Sequence, residues 1–148
     1  MRFVIQRVNS ASVEVEGNIT GSIERGFLVL AGVYEDDTTQ TADKMVKKLC
    51  SMRIFADENG KTNLSLSDVS GQLLIVSQFT LCADCKHGNR PSFSGAAGAE
   101  KAEELYRYIL SKAGEYVPDV QAGVFGADMK VSLINDGPFT IILDSREL

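Results

Sequence analysis

The chain has no tryptophan, a single histidine, three cysteines and three prolines. Each scarcity removes a class of chemistry. His87 is the only imidazole, so any Ser-His-Asp or Cys-His arrangement must be built around it, and no G-x-S-x-G elbow is present. An odd number of cysteines argues against a disulfide framework, and the opening MRFVIQRV alternates like a strand rather than a signal peptide. A reducing, cytoplasmic setting is therefore expected. No apolar run approaches the roughly 20 residues that span a bilayer, so no membrane partner is expected. Basic residues are outnumbered, 15 against 20 acidic, for a net charge of −5. A protein that grips a long duplex carries a basic face. Here only a local spot, Lys86-His87-Gly88-Asn89-Arg90, could hold one end of a nucleic acid, with Arg2, Arg7 and Arg53 scattered.

The composition, 44% hydrophobic and 24% charged over 148 residues, suits one soluble domain with a sizeable core. Phe3–Val8, Ser12–Val15 and Ile19–Ile23 read as strands, and the doubly apolar run Phe27–Tyr34 as a central one. Asp36–Thr41 offers N-caps for a helix whose apolar face is Ala42, Met45, Val46 and Leu49. Asn63–Ser70 reads as loop, Gln72–Leu81 as a second strong strand, and Ala83–Ala97 as a long surface loop of the kind that often carries function. Ala99–Ala113 is the clearest helix, with Gly114 as its cap. Tyr116–Val120 reads as a short strand, and Val131–Leu143 as a hairpin turning at Asp136-Gly137. The pattern is β-rich with two principal helices.

Four groups of residues could carry chemistry, and a fifth stands out for its backbone. Cys82-x-x-Cys85-x-His87 resembles half a metal site, but a structural zinc needs four ligands and no second pair exists, so incidental thiols are the better reading. Ser77-Gln78-Phe79-Thr80 ends an apolar strand in three hydrogen-bonding side chains. It is either a strand running out into a turn or a set of backbone N–H groups aimed at an oxyanion. Phe125 and Met129 read as core or as the adaptable lining of a pocket. Arg90 and the hydroxyls of Ser92 and Ser94 could hold a phosphate or belong to a solvated loop. Asn135-Asp136-Gly137-Pro138 is unusual, because a proline cannot donate to a ladder. On spacing alone an ordinary trans hairpin is favoured, since only about 5–6% of X-Pro bonds are cis.

Taken together, the opening MRFVIQRVNSASVEVEG, the stretch RIFADENGKTNLSLSDVSGQLLIVSQFTL, the segment NRPSFSGAA and the closing GVFGADMKVSLINDGPFTIILDS resemble the bacterial-type D-aminoacyl-tRNA deacylases nearly end to end. Two motifs are specific, SQFT at Ser77–Thr80 and N-x-G-P-x-T at Asn135–Thr140. The resemblance implies a single α+β domain over residues 1–148, its mostly antiparallel sheets forming a barrel-like core with two principal helices, and a homodimer. It implies hydrolysis of the ester of D-aminoacyl-tRNA, and of glycine on a non-cognate tRNA, with neither cofactor nor metal.

A cis Gly137-Pro138 would enter the partner subunit's site and reject L-isomers, with Asn135 and Thr140 supporting it. Ser77, Gln78, Phe79 and Thr80 would line the catalytic pocket, the last two offering oxyanion donors. Phe125 and Met129 would flank the terminal adenosine, while Lys86 and Arg90 would touch the tRNA acceptor end. Cys82 and Cys85 stand where many members carry tyrosine and threonine, which affects only the tRNA-contacting loop. The alternatives are a relative with a trans Gly-Pro and relaxed chirality, and a non-catalytic protein that binds an RNA end.

Overall fold

The computed structural model describes residues 1–148. Its first strand, β1 (Arg2–Val15), is read in the sequence as two pieces but runs unbroken. The polar Asn9-Ser10 stretch holds neither glycine nor proline. It forms an irregularity in the pairing rather than a turn. Glu16 and Gly17, both with positive φ, turn the chain into β2 (Asn18–Ile23), and β3 (Gly26–Gly32) returns beside β1.

Helix α1 (Thr39–Ser51) follows. Thr38 caps it, its hydroxyl accepting from the Thr41 N–H at 3.3 Å while the Thr41 hydroxyl accepts from the Thr38 N–H, a reciprocal capping box. Ala42, Met45, Val46 and Leu49 are buried, as their spacing requires. A small hairpin, β4 (Phe55–Ala56) with β5 (Thr62–Leu64), occupies part of the stretch expected to be loop. Strand β6 (Gln72–Ser77) stops four residues earlier than expected. Its end folds into a 3-10 turn, Phe79–Cys82, closed by Leu81 N–H to Gln78 O at 3.3 Å.

Helix α2 (Ala99–Gly114) runs through Gly114, and Glu115 caps it in a right-handed conformation, so no left-handed glycine cap forms. Tyr116 and Val117 continue its last turn, both N–H groups donating to Ala113 O. The following strand, β7 (Val120–Ala122), therefore starts later than the sequence suggests. The chain ends in β8 (Lys130–Asp144), which is one 15-residue strand and not a hairpin.

The sheet is mixed, in the order β2-β1-β3-β6-β7, with β8 on the other side of β1. β1 pairs antiparallel with β2, β3 and β8, whereas β3–β6 and β6–β7 are parallel. The expectation of mostly antiparallel pairing fails at those two seams because a helix lies in each connection, and such crossovers return the chain in the same direction. Both helices pack on one face over the main core of Phe3, Phe27, Phe55, Leu73, Ile75 and Ile109. The alternate residues Leu28, Leu74 and Val76 point the other way, into a smaller core with Val8, Val13 and Ile23. Being buried on both faces explains why β3 and β6 read as continuous apolar runs.

The sheet curls until β2 meets β6 and β7, making a nearly closed barrel. Gly21 allows that closure, since a Cβ there would sit 2.5 Å from Ala122 O. The two ends of the chain meet as well: the buried Met1 amine donates to Asp37 Oδ1 and to Ser145 Oγ, each at 2.6 Å. No helix is long and apolar enough to cross a membrane.

Gly21→Ala should force β2 off β7 and cost about 1–3 kcal/mol in urea unfolding. Gly95→Ala, where a Cβ meets open space, should change stability by less than about 0.5 kcal/mol. Equal effects at the two positions would contradict this account of closure.

Candidate active site

The end of β6, the start of α2 and the Phe125–Met129 segment enclose a largely apolar cavity of about 510 Å³. Ser77, Gln78 and Phe79 form one wall, Phe125 and Met129 another, and small side chains such as Ala31 and Ala102 leave the space open. Tyr106 of α2 stands at the back. Its hydroxyl donates to Ile75 O at 2.7 Å, and its ring lies 5.9 Å from that of Phe125. Burial pushes the Tyr106 phenol up to about 12, so it stays a neutral wall.

The abrupt end of β6 gives this wall its chemistry. Phe79 and Thr80 open the 3-10 turn, and the first N–H groups of such a turn have no partner within it. Neither donates to another backbone group of the molecule. Two free donors are thus held beside the cavity by a turn whose base is fixed through Gln78 N–H to Ala31 O at 2.8 Å. The Gln78 amide donates to Thr80 Oγ1 at 2.6 Å. Thr80 itself stands outside the cavity lining. The Phe79 ring is 56% exposed and rests edge-on against Phe93. An exposed ring beside a hydrophobic cavity is an incomplete surface.

The other expected residues gather elsewhere. Asn135, Gly137, Pro138 and Thr140 lie on β8, and none of them lines the cavity of the same chain. The Gly137–Pro138 bond is cis, in contrast to the trans hairpin that spacing alone favours. Both halves of β8 pair with β1: Gln6 faces Thr140 and Val8 faces Asn135, so Asp136–Phe139 bulge out opposite Arg7 alone. The Asn135 amide closes the neck of this bulge, donating to Arg7 O at 2.9 Å and Phe139 O at 3.1 Å. The Gln6 amide donates to Thr140 Oγ1 at 3.1 Å.

Arg7 fills the bulge from behind. Its Nε lies 2.9 Å from Asp136 Oδ2 and donates to Asp136 O at 3.1 Å, while one terminal nitrogen donates to Ile54 O at 2.6 Å. Its guanidinium sits 4.2 Å from the centre of the Phe139 ring.

Lys86 and Arg90 sit on the loop between the 3-10 turn and α2, both exposed, and neither lines the cavity. Cys82 is buried, its Sγ 3.5 Å from Val33 O, and burial pushes its thiol up, whereas Cys85 is exposed. No group of three or more His, Cys, Asp or Glu side chains is placed to hold a metal ion.

A family model described as D-Tyr-tRNA(Tyr) deacylase matches residues 4–144. The chain belongs to that family. A D-aminoacyl-tRNA deacylase of Thermosipho melanesiensis is 54% identical over 149 residues, covering 100% of this chain and 99% of the relative. One from Clostridium novyi is 50% identical over 147 residues, covering 99% of each. Among solved structures, a c-Myc DNA unwinding element binding protein superposes with a TM-score of 0.92 at 40% identity, over 97% of this chain and 98% of that one. A probable eukaryotic D-amino acid tRNA deacylase superposes at 0.84 over 96% and 97%, with 18% identity, and so shares the fold.

Sequence reasoning gave neither Arg7 nor Tyr106 a place in the site. A charge inside the strand-like run Phe3–Val8, beside Gln6 and among Phe3, Val4, Ile5 and Val8, was the available signal for Arg7, because a largely buried cation in a strand needs partners. Arg7→Met should lower the unfolding free energy by about 2–3 kcal/mol in urea titration, since it strands Ile54 O and the Asp136 groups. The exposed Arg90→Met should stay within about 0.5 kcal/mol. Similar values for the two variants would show that Arg7 is not the clamp.

Proposed function

We propose that the protein hydrolyses the ester linking a D-amino acid to the terminal adenosine of tRNA, releasing free D-amino acid and tRNA. The observation that carries this is the cavity at the end of β6, with its free N–H pair and aromatic rim, in a chain of the deacylase family. Water adds to the ester carbonyl, and the charge that develops on its oxygen is met by the Phe79 and Thr80 N–H groups. The C–O bond to the ribose then breaks, and the departing oxygen leaves as the tRNA hydroxyl, assisted by the neighbouring 2′-OH. No covalent side-chain intermediate is needed, because an aminoacyl ester is already activated and holding it correctly supplies much of the rate. His87, the one imidazole, does not line the cavity, which agrees with this route.

Chirality is read by exclusion. The Gly137-Pro138 bulge of a second subunit closes the open side of the cavity and captures the α-amino group on a backbone carbonyl, so an L side chain would collide with it. Glycine, having no side chain, passes, and glycyl ester on a non-cognate tRNA is a second substrate. The homodimer is supported by the outer face of β8, where Ile134 and Ile142 are 60% and 64% exposed on an edge strand. Such a face is normally covered. Phe125 and Met129 then flank the adenine, with Lys86 and Arg90 toward the acceptor strand. The reaction belongs in the cytoplasm, with translation.

Purified protein should deacylate D-Tyr-tRNA and leave L-Tyr-tRNA intact at equal concentration, with the same rate in EDTA. Cleavage of both esters would remove the chirality filter. Binding without turnover would turn the reading toward a non-catalytic protein that binds an RNA end.

A further inference from the structure

A second hollow, of about 460 Å³, opens between the start of β1, the Ala83–Ala97 loop and the last turn of the chain. It is polar where the first cavity is greasy, and three cations line it: Arg2, Lys86 and Arg146. Residues from both ends of the sequence thus meet the one basic spot in the middle of it.

The single carboxylate on its lining, Asp84, is engaged by its own loop, accepting the Lys86 N–H at 2.9 Å. Asp144 stands behind, 6% exposed, and holds Arg2 in place through Nε at 2.8 Å. The same carboxylate accepts from the Tyr34 hydroxyl at 3.1 Å and the Arg146 N–H at 3.0 Å. Arg146 lies with its guanidinium 3.9 Å from the centre of the Tyr34 ring and reaches the exposed Asp36 at 3.4 Å. The Lys86 ammonium has no ion-pair partner, and the second terminal nitrogen of Arg2 donates to nothing in the chain. In a chain of net charge −5, this is a concave surface with an excess of positive charge.

Its position relates it to the first cavity. Cys82, on its wall, ends the same 3-10 turn that Phe79 and Thr80 begin. The other terminal nitrogen of Arg2 donates to Leu81 O at 3.2 Å, next in sequence to Thr80. A group bound by Arg2 is therefore one residue removed from the proposed oxyanion donors.

We propose that this hollow holds a phosphodiester of the tRNA acceptor strand, upstream of the esterified adenosine, with Arg2, Lys86 and Arg146 as its cations. The assignment rests on the deacylase reading for the identity of the strand. The chemistry fits: guanidinium forks match phosphate oxygens, and lysine contributes a point charge. An acidic protein that must take a polyanion needs its positive charge concentrated where the strand passes. Anchoring the strand on Arg2 also steadies the turn that presents Phe79 and Thr80.

The test uses a Lys86→Gln/Arg146→Gln double variant of the full chain, both positions being exposed. Binding of uncharged tRNA, followed by fluorescence anisotropy across a salt series, should weaken about tenfold or more. The dependence of log affinity on log salt should become shallower by about 0.7, the contribution of one single-strand phosphate charge that is no longer neutralised. Deacylation of D-Tyr-tRNA below saturation should fall about as far as tRNA binding does, and turnover of D-tyrosyl-adenosine, which has no upstream phosphodiester, should fall much less. An unchanged salt slope, or an equal loss on the nucleoside ester, would overturn the assignment. Failure of the parent protein to cleave either ester would sink the deacylase reading instead, and the tRNA salt slopes would still decide the hollow.

Discussion

One guanidinium organises the functional half of this molecule. Arg7 follows Gln6 in a strand that is otherwise mostly apolar here, opposite the four residues that bulge from β8. It ties Asp136 to Ile54 O and lies against the Phe139 ring, so the Gly137-Pro138 bulge is fixed both to the sheet and to the chain entering β4. Lysine could not replace it: a point charge on a flexible stem cannot serve a carboxylate, two carbonyls and a ring face together. The sheet around the bulge follows from this clamp, since with Arg7 and Asn135 satisfied β1 can pair with β8 on both sides of the interruption.

The second constraint is the early end of β6. Its apolar residues are divided between two cores, and beyond Ser77 only the Gln78 N–H to Ala31 O bond continues the pairing with β3. The chain turns at once, which strips two N–H groups of their acceptors at the mouth of a cavity. Binding energy on this surface has to come from shape and backbone polarity, because the cavity lining is mostly hydrophobic. That suits a substrate whose ester is already activated.

Much of the architecture was legible in the residues. The stripe Ala42, Met45, Val46, Leu49 gave α1, and the two-sided apolar runs gave β3 and β6, because burial acts directly on periodicity. The misreadings share a cause. Asp136-Gly137 is a strong local signal for a turn, but it was overridden by long-range pairing of both flanks with β1 and by an arginine 129 residues away. Parallel pairing of β3 and β6 left only their two-sided apolar runs as a trace, and an antiparallel strand buried on both faces would show the same pattern. The SQFT segment was recognisable as a motif, while the cation-lined hollow was invisible because Arg2, Lys86 and Arg146 are brought together only by the fold.

The proposed completion of one subunit's cavity by its partner's bulge is tested most directly by complementation between two disabled chains. Phe79→Pro removes one donor at the first position of the 3-10 turn, where a proline is tolerated because Gln78 (φ −148°, ψ 82°) lies outside the helical region that a following proline disfavours. Gly137→Val alters the bulge and leaves the cavity intact. Each variant alone should lose about 100-fold or more of D-Tyr-tRNA deacylation. A doubly tagged heterodimer pairs the intact cavity of one chain with the intact bulge of the other, and should regain about half the wild-type rate, one site of two. A heterodimer as inactive as its parents would contradict the account, because the bulge would then not complete the partner's site.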